Sequence, residues 1–87
     1  MKILVTGSSG YSGHHIILEL ASKYPDAKII GMSRSGAPRV SGVMDKYPNV
    51  SYRKGNCLEP ETYKGIFKDI DACIHTVGVL FFNNFNA

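Results

Sequence analysis

A short apolar run, Ile3-Leu4-Val5-Thr6, delivers directly into Gly7-Ser8-Ser9-Gly10-Tyr11-Ser12-Gly13. Beyond it Ile17, Leu20, Ala21 and Tyr24 recur at helical spacing until Pro25. A strand turning into a helix through three glycines spaced by three constrains this fold more than any other part of the chain. An unbroken apolar strand is buried on both faces, as strands of parallel sheets are. Parallel strands need crossovers, and the remaining sequence supplies them. Lys28-Ile29-Ile30-Gly31-Met32-Ser33 reads as a second strand, and Val40 to Tyr47 has room for a short helix. Val50-Ser51-Tyr52-Arg53 alternates like an edge strand, and Pro60 opens a helix striped by Tyr63, Ile66, Phe67 and Ile70. Gly65 inside that helix costs about 1 kcal/mol relative to alanine. Ala72-Cys73-Ile74-His75-Thr76-Val77 is a fourth strand, ending at Gly78. The order predicts an α/β fold: a parallel sheet of about four strands in spatial order 3-2-1-4, with helices on both faces.

At 87 residues the chain allows one domain with a modest core. Residues 1–80 are expected to form the folded body, and 81–87, Phe81-Phe82-Asn83-Asn84-Phe85-Asn86-Ala87, an apolar, asparagine-rich tail. No apolar run approaches the roughly 20 residues of a membrane-spanning helix. Cys57 and Cys73 stand too far apart for a CxxC site and are too few for a disulfide framework, so they read as reduced intracellular thiols. The formal charge of +3 is spread along the chain, with Arg53-Lys54 the one adjacent basic pair, and nucleic acid is not indicated. Ile3-Leu4-Val5 follows Met1-Lys2 at once, so neither a signal peptide nor a transit segment is expected.

The glycine spacing has a mechanism. Gly7 permits the tight turn, Gly10 lets backbone N–H groups approach a pyrophosphate, and Gly13 lets the helix pack close to the sheet. The helix N-terminus adds unpaired N–H groups and partial positive charge. A dinucleotide is therefore the expected ligand, the alternative being a purely structural turn. An NAD-selective site places an acidic residue at the end of the second strand; here stand Ser33-Arg34-Ser35. Arg34 suits a 2′-phosphate, with Ser33 or Ser35 donating hydroxyls, which favours NADP(H) over NAD(H). The alternative is a solvated loop arginine.

Taken with Gly55-Asn56-Cys57-Leu58-Glu59-Pro60-Glu61 and Ile74-His75-Thr76-Val77-Gly78, these segments resemble the N-terminal half of an extended or atypical short-chain dehydrogenase/reductase of the epimerase/dehydratase type. Ser33-Arg34-Ser35-Gly36 and His75-Thr76-Val77-Gly78 are similar to the atypical mitochondrial branch that includes the dehydrogenase-like accessory subunit of respiratory complex I. The resemblance implies a truncated Rossmann fold and a cofactor site of Gly7, Ser8, Ser9, Gly10, Tyr11, Ser12 and Gly13 at the pyrophosphate. It adds Ser33, Arg34 and Ser35 at the ribose phosphate, Asn56 and Cys57 at the adenine, and Thr76, Val77 and Gly78 at the far ribose. It also implies a mitochondrial setting, with the cytoplasm as alternative. Asn56 departs from the family's usual aspartate, Ser12 from its usual Ile or Leu, and Glu59 from the aspartate that often precedes the proline.

Reductases of this family use a Tyr-x-x-x-Lys pair on one helix face. Tyr24 and Lys28 match by letter only, because Pro25 ends the helix between them. No catalytic residue is therefore assigned. His14 and His15 lack a third ligand at metal-binding spacing and read as surface or packing residues; no metal site is assigned. His75 reads as a packed histidine and Cys73 as core. The fourth strand is expected to present an open edge, with Phe81, Phe82 and Phe85 adding apolar surface for a protein partner. The functional expectation is an NADP(H)-binding component of a larger assembly. The alternatives are part of an oxidoreductase or epimerase whose catalytic half lies elsewhere, and a gene fragment.

Overall fold

In the computed structural model, which describes residues 1–55, 65, 69–76 and 80–83, five strands form one sheet. They are Lys2–Thr6 (β1), Lys28–Ser33 (β2), Val50–Lys54 (β3), Ala72–His75 (β4) and Leu80–Asn83 (β5), in the order β3-β2-β1-β4-β5. Among the described residues two helices accompany them, Tyr11–Lys23 (α1) and Val43–Lys46 (α2). β1 runs parallel to β2, with Lys2 opposite Lys28, and parallel to β4, with Ile3 opposite Ala72; β2 runs parallel to β3. The 3-2-1-4 parallel order thus stands as the sequence predicts.

β1 is central because its residues are apolar on both faces. Ile3 and Val5 join Ile17 and Ala21 of α1, with Ile29 and Val50 of the neighbouring strands. Leu4 points the other way, against Ile30, Met32, Ile70 and Cys73. Side chains alternate across a strand, so one four-residue apolar run seeds both cores.

The buried stripe of α1 is Gly13, His14, Ile17 and Ala21. Tyr24, expected at its end, is 55% exposed. Its backbone, at φ −125° and ψ 72°, has left the helical path, and its N–H closes the last turn on the Leu20 carbonyl at 2.9 Å. Pro25 follows and cannot continue the ladder.

Two further expectations are corrected. Gly65 has φ +86°, a left-handed conformation foreign to an α-helix interior, so it does not lie within a continuous helix. The other residues of the helix expected from Pro60, short of Asp69 and Ile70, lie outside the described residues, as does its Tyr63, Ile66 and Phe67 stripe. The β4 edge is not open: β5 pairs with it antiparallel, Ala72 opposite Asn83 and His75 opposite Leu80. A chain returning alongside its predecessor can satisfy that edge's backbone groups without a partner.

Candidate functional site

The C-terminal ends of β1, β2 and β4 meet around the glycine turn. Gly7 adopts φ +68°, which glycine accepts without a Cβ penalty, and its carbonyl accepts the Gly10 N–H at 3.0 Å. The Ser8 N–H donates to the Met32 carbonyl of β2 at 3.1 Å. From the other side the Thr76 hydroxyl donates to the Thr6 carbonyl at 2.7 Å and lies 3.3 Å from that of Gly7. Gly13 closes the arrangement: a β-carbon there would stand 2.2 Å from the Gly7 oxygen, so only glycine lets α1 begin this close to β1.

Gly10 is the N-cap of α1, without a side-chain hydrogen bond, and no acidic residue occupies the first turn. The His14 N–H reaches the Gly10 carbonyl at 2.9 Å. The N–H groups of Tyr11, Ser12 and Gly13 precede it and have no acceptor within the helix. The positive end of a thirteen-residue helix is thus neutralised by neither a cap nor a carboxylate. Ser9, Gly10, Tyr11 and Ser12 are exposed along it.

The serines divide by role. Ser8 contributes only backbone to the turn; its side chain is fully buried, and its Oγ has no hydrogen-bond partner. Beneath it, a β-carbon at Gly31 would stand 2.8 Å from both Ser8 Cβ and the Tyr52 ring, so the missing side chain of Gly31 is the space Tyr52 fills. Burial pushes the Tyr52 hydroxyl pKa up. Ser33 is also buried; its Oγ accepts the Gly36 N–H at 3.0 Å and its carbonyl the Gly55 N–H at 2.8 Å. Ser33 therefore folds the loop after β2, leaving Arg34 and Ser35 exposed at the strand's end. Asn56, Cys57, Val77 and Gly78 lie outside the described residues, and Thr76 acts as a brace for the turn.

Arg39 was not among the candidate residues. Its Nη1 donates to the Ser9 carbonyl at 3.1 Å, and its guanidinium carbon lies 5.9 Å from the centre of the Tyr11 ring. Its one sequence signal is a second arginine, five residues after Arg34, in the same loop. Nearby His14 is buried and its Nδ1 has no hydrogen-bond partner. Desolvation, followed by the charges of His15 and Arg39, holds its pKa below the ordinary 6.5.

His75 packs at the β4 end, its Nδ1 2.8 Å from Thr6 Oγ1. Tyr24 lies at the helix C-cap and Lys28 opens β2, so the Tyr-x-x-x-Lys letters share no helix. Among the described residues no cluster of metal-ligating side chains occurs, and no helix is long and apolar enough to cross a membrane.

A parallel sheet in the order 3-2-1-4, whose first strand feeds a helix through this turn, defines a Rossmann-type fold. The chain belongs to the NAD dependent epimerase/dehydratase family, whose model matches residues 3–84. It is 35% identical over 80 residues to dTDP-D-glucose 4,6-dehydratase of Dictyostelium discoideum, covering 85% of this chain and 18% of that one. It is 33% identical over 85 residues to UDP-glucose 4-epimerase of Yersinia enterocolitica, covering 91% and 25%. The crystal structure of dTDP-glucose 4,6-dehydratase from Bacillus anthracis in complex with NAD superposes with a TM-score of 0.72 at 26% identity, covering 87% of this chain and 26% of that one. UDP-glucuronic acid 4-epimerase from Bacillus cereus, also in complex with NAD, shares the fold with a TM-score of 0.67 at 24% identity, over 87% and 26%. The chain thus spans about a quarter or less of the length of these relatives.

Proposed function

We propose that this chain binds a nicotinamide dinucleotide at the glycine turn, NADP(H) in preference to NAD(H), as the cofactor-holding portion of an epimerase/dehydratase-type protein. The observation that carries the reading is the uncapped N-terminus of α1, held against β1 by Gly13 and braced by Thr76. The residues fit the group: the first turn offers backbone donors free of intrahelical partners, Gly7 and Gly10 keep side chains off the turn, and no carboxylate repels a pyrophosphate there. The complexes of the two solved structures with NAD support the cofactor class. The NADP(H) preference rests on Arg34, exposed at the end of β2 where an acidic residue would select a free ribose hydroxyl.

When bound, the dinucleotide supplies hydride transfer. This chain's part is to grip the pyrophosphate with the N–H groups of α1 and to meet the ribose phosphate with Arg34 and Ser35. The sugar-nucleotide relatives favour a catalytic portion elsewhere over a purely structural role. The accessory-subunit and mitochondrial readings rest on the resemblance of the segments at residues 33–36 and 75–78 alone.

Fluorescence titration of the purified chain with NADPH and NADH tests the proposal. Saturable binding of both, tighter for NADPH, is expected, with Arg34→Asp reversing the order. Binding of neither overturns the dinucleotide reading; equal or tighter NADH binding overturns the preference.

A further inference from the structure

Resting on the dinucleotide reading, we infer that Arg39 is a second arginine for the adenosine 2′-phosphate, delivered across the glycine turn by the loop that carries Arg34. Three observations place it there. First, Arg39 spends one of its donors on the Ser9 carbonyl, which anchors the guanidinium on the turn itself, thirty positions away in sequence. Second, the rest of its planar fork has no carboxylate: among the described residues the one salt bridge is Lys23 to Glu19, on the outer face of α1. Third, the guanidinium lies beside the Tyr11 ring, whose other contact is His15, edge-on at 4.4 Å. An arginine held by a carbonyl and a ring face keeps its full charge and several N–H donors for an anion.

The position selects which phosphate. The pyrophosphate is met by the N–H groups of Tyr11, Ser12 and Gly13, inside the turn. Arg39 instead belongs to the loop that leaves β2 through Arg34 and Ser35, and it touches the turn at Ser9, ahead of those N–H groups. Two guanidinium groups on one loop, approaching from the strand end and from the turn, would bracket a dianionic phosphate. A lone ribose hydroxyl gives the second one nothing to hold.

The test compares the wild-type chain with Arg39→Gln and Arg39→Lys, measuring dissociation constants for NADPH, NADH and 2′,5′-ADP by calorimetry, with circular dichroism confirming the fold. Loss of one charge-assisted contact predicts that Arg39→Gln lowers the NADPH-to-NADH affinity ratio about tenfold and weakens 2′,5′-ADP by a similar factor, with Arg39→Lys between. The 2′,5′-ADP affinity of the wild type should also fall more steeply with salt than that of Arg39→Gln. An unchanged ratio in Arg39→Gln, with NADPH and NADH weakened equally or neither affected, overturns the inference and leaves the dinucleotide reading standing. A wild-type chain that binds none of the three overturns both.

Discussion

The carbonyl oxygen of Gly7 occupies the place where a side chain of Gly13 would begin, 2.2 Å from an ideal β-carbon. The obstructing atom is backbone, so relief requires α1 to move away from β1. Gly13→Ala is expected to cost about 2 kcal/mol or more despite alanine's better helix propensity, lowering Tm by roughly 10 °C. Gly10 has its nearest obstacle at 3.3 Å and an ordinary φ of −77°, so Gly10→Ala should cost less than about 1 kcal/mol. Thermal melts of the two variants check the contrast, and a reversed order would contradict the geometry.

Thr76 joins β4 to the turn through its hydroxyl. Thr76→Val keeps the shape and removes the donor from the Thr6 carbonyl, an expected loss of about 1 kcal/mol in urea unfolding. Thr76→Ser retains the hydroxyl and should lose less. Equal losses would show that the methyl group, and not the hydrogen bond, matters.

Gly31 and Tyr52 share one volume. Gly31→Ala is expected to cost about 1–3 kcal/mol, because a methyl group meets the Tyr52 ring and Ser8 Cβ together. In a Tyr52→Val background that cost should shrink by at least about 0.5 kcal/mol, Ser8 keeping the rescue incomplete. A double-mutant cycle with additive costs would refute the shared packing.

His14 sets a direction with pH. Its folded pKa lies below the ordinary 6.5, so on acidification the unfolded chain takes up this proton first. Stability is full above pH 6.5, falls as the pH drops from there through the folded pKa, and levels off beneath it. His14→Gln should remove that portion of the acid slope, and equilibrium unfolding at a series of pH values from 8 downward measures it. Identical slopes in the two proteins would show that His14 is not the group responsible.

The four parallel strands and their order were legible because β1, β2 and β4 are apolar runs, because β3 alternates between Asn49 and Gly55, and because Ile3 to Thr6 could be buried only at the centre of a sheet. The glycine turn was legible for the same local reason. What escaped depends on distance or on backbone angles. Tyr24 keeps the helical period in letters, but its residue has already left the helix. Gly65 takes a positive φ, and its letter alone does not separate that from a tolerated helical glycine. Leu80 to Asn83 offer no alternation to separate a tail from a returning strand. The placement of Arg39 and the burial of Ser8 arise from contacts with residues more than twenty positions away, which no local pattern encodes.

The pairing of Ile3 with Ala72 carries a consequence for how the molecule forms. The central strand is made well before one of its neighbours, so one of its edges waits for a segment synthesised almost seventy residues later. At about 5–20 residues per second, β1 spends several seconds with Leu4 and Val5 unburied on that side. β1, β2 and β3 can assemble meanwhile, but closing the long loop to β4 carries the larger entropic cost and should set the folding rate. The brace from Thr76 to the turn comes with that step, so the glycine turn reaches its final form only once β4 has joined the sheet.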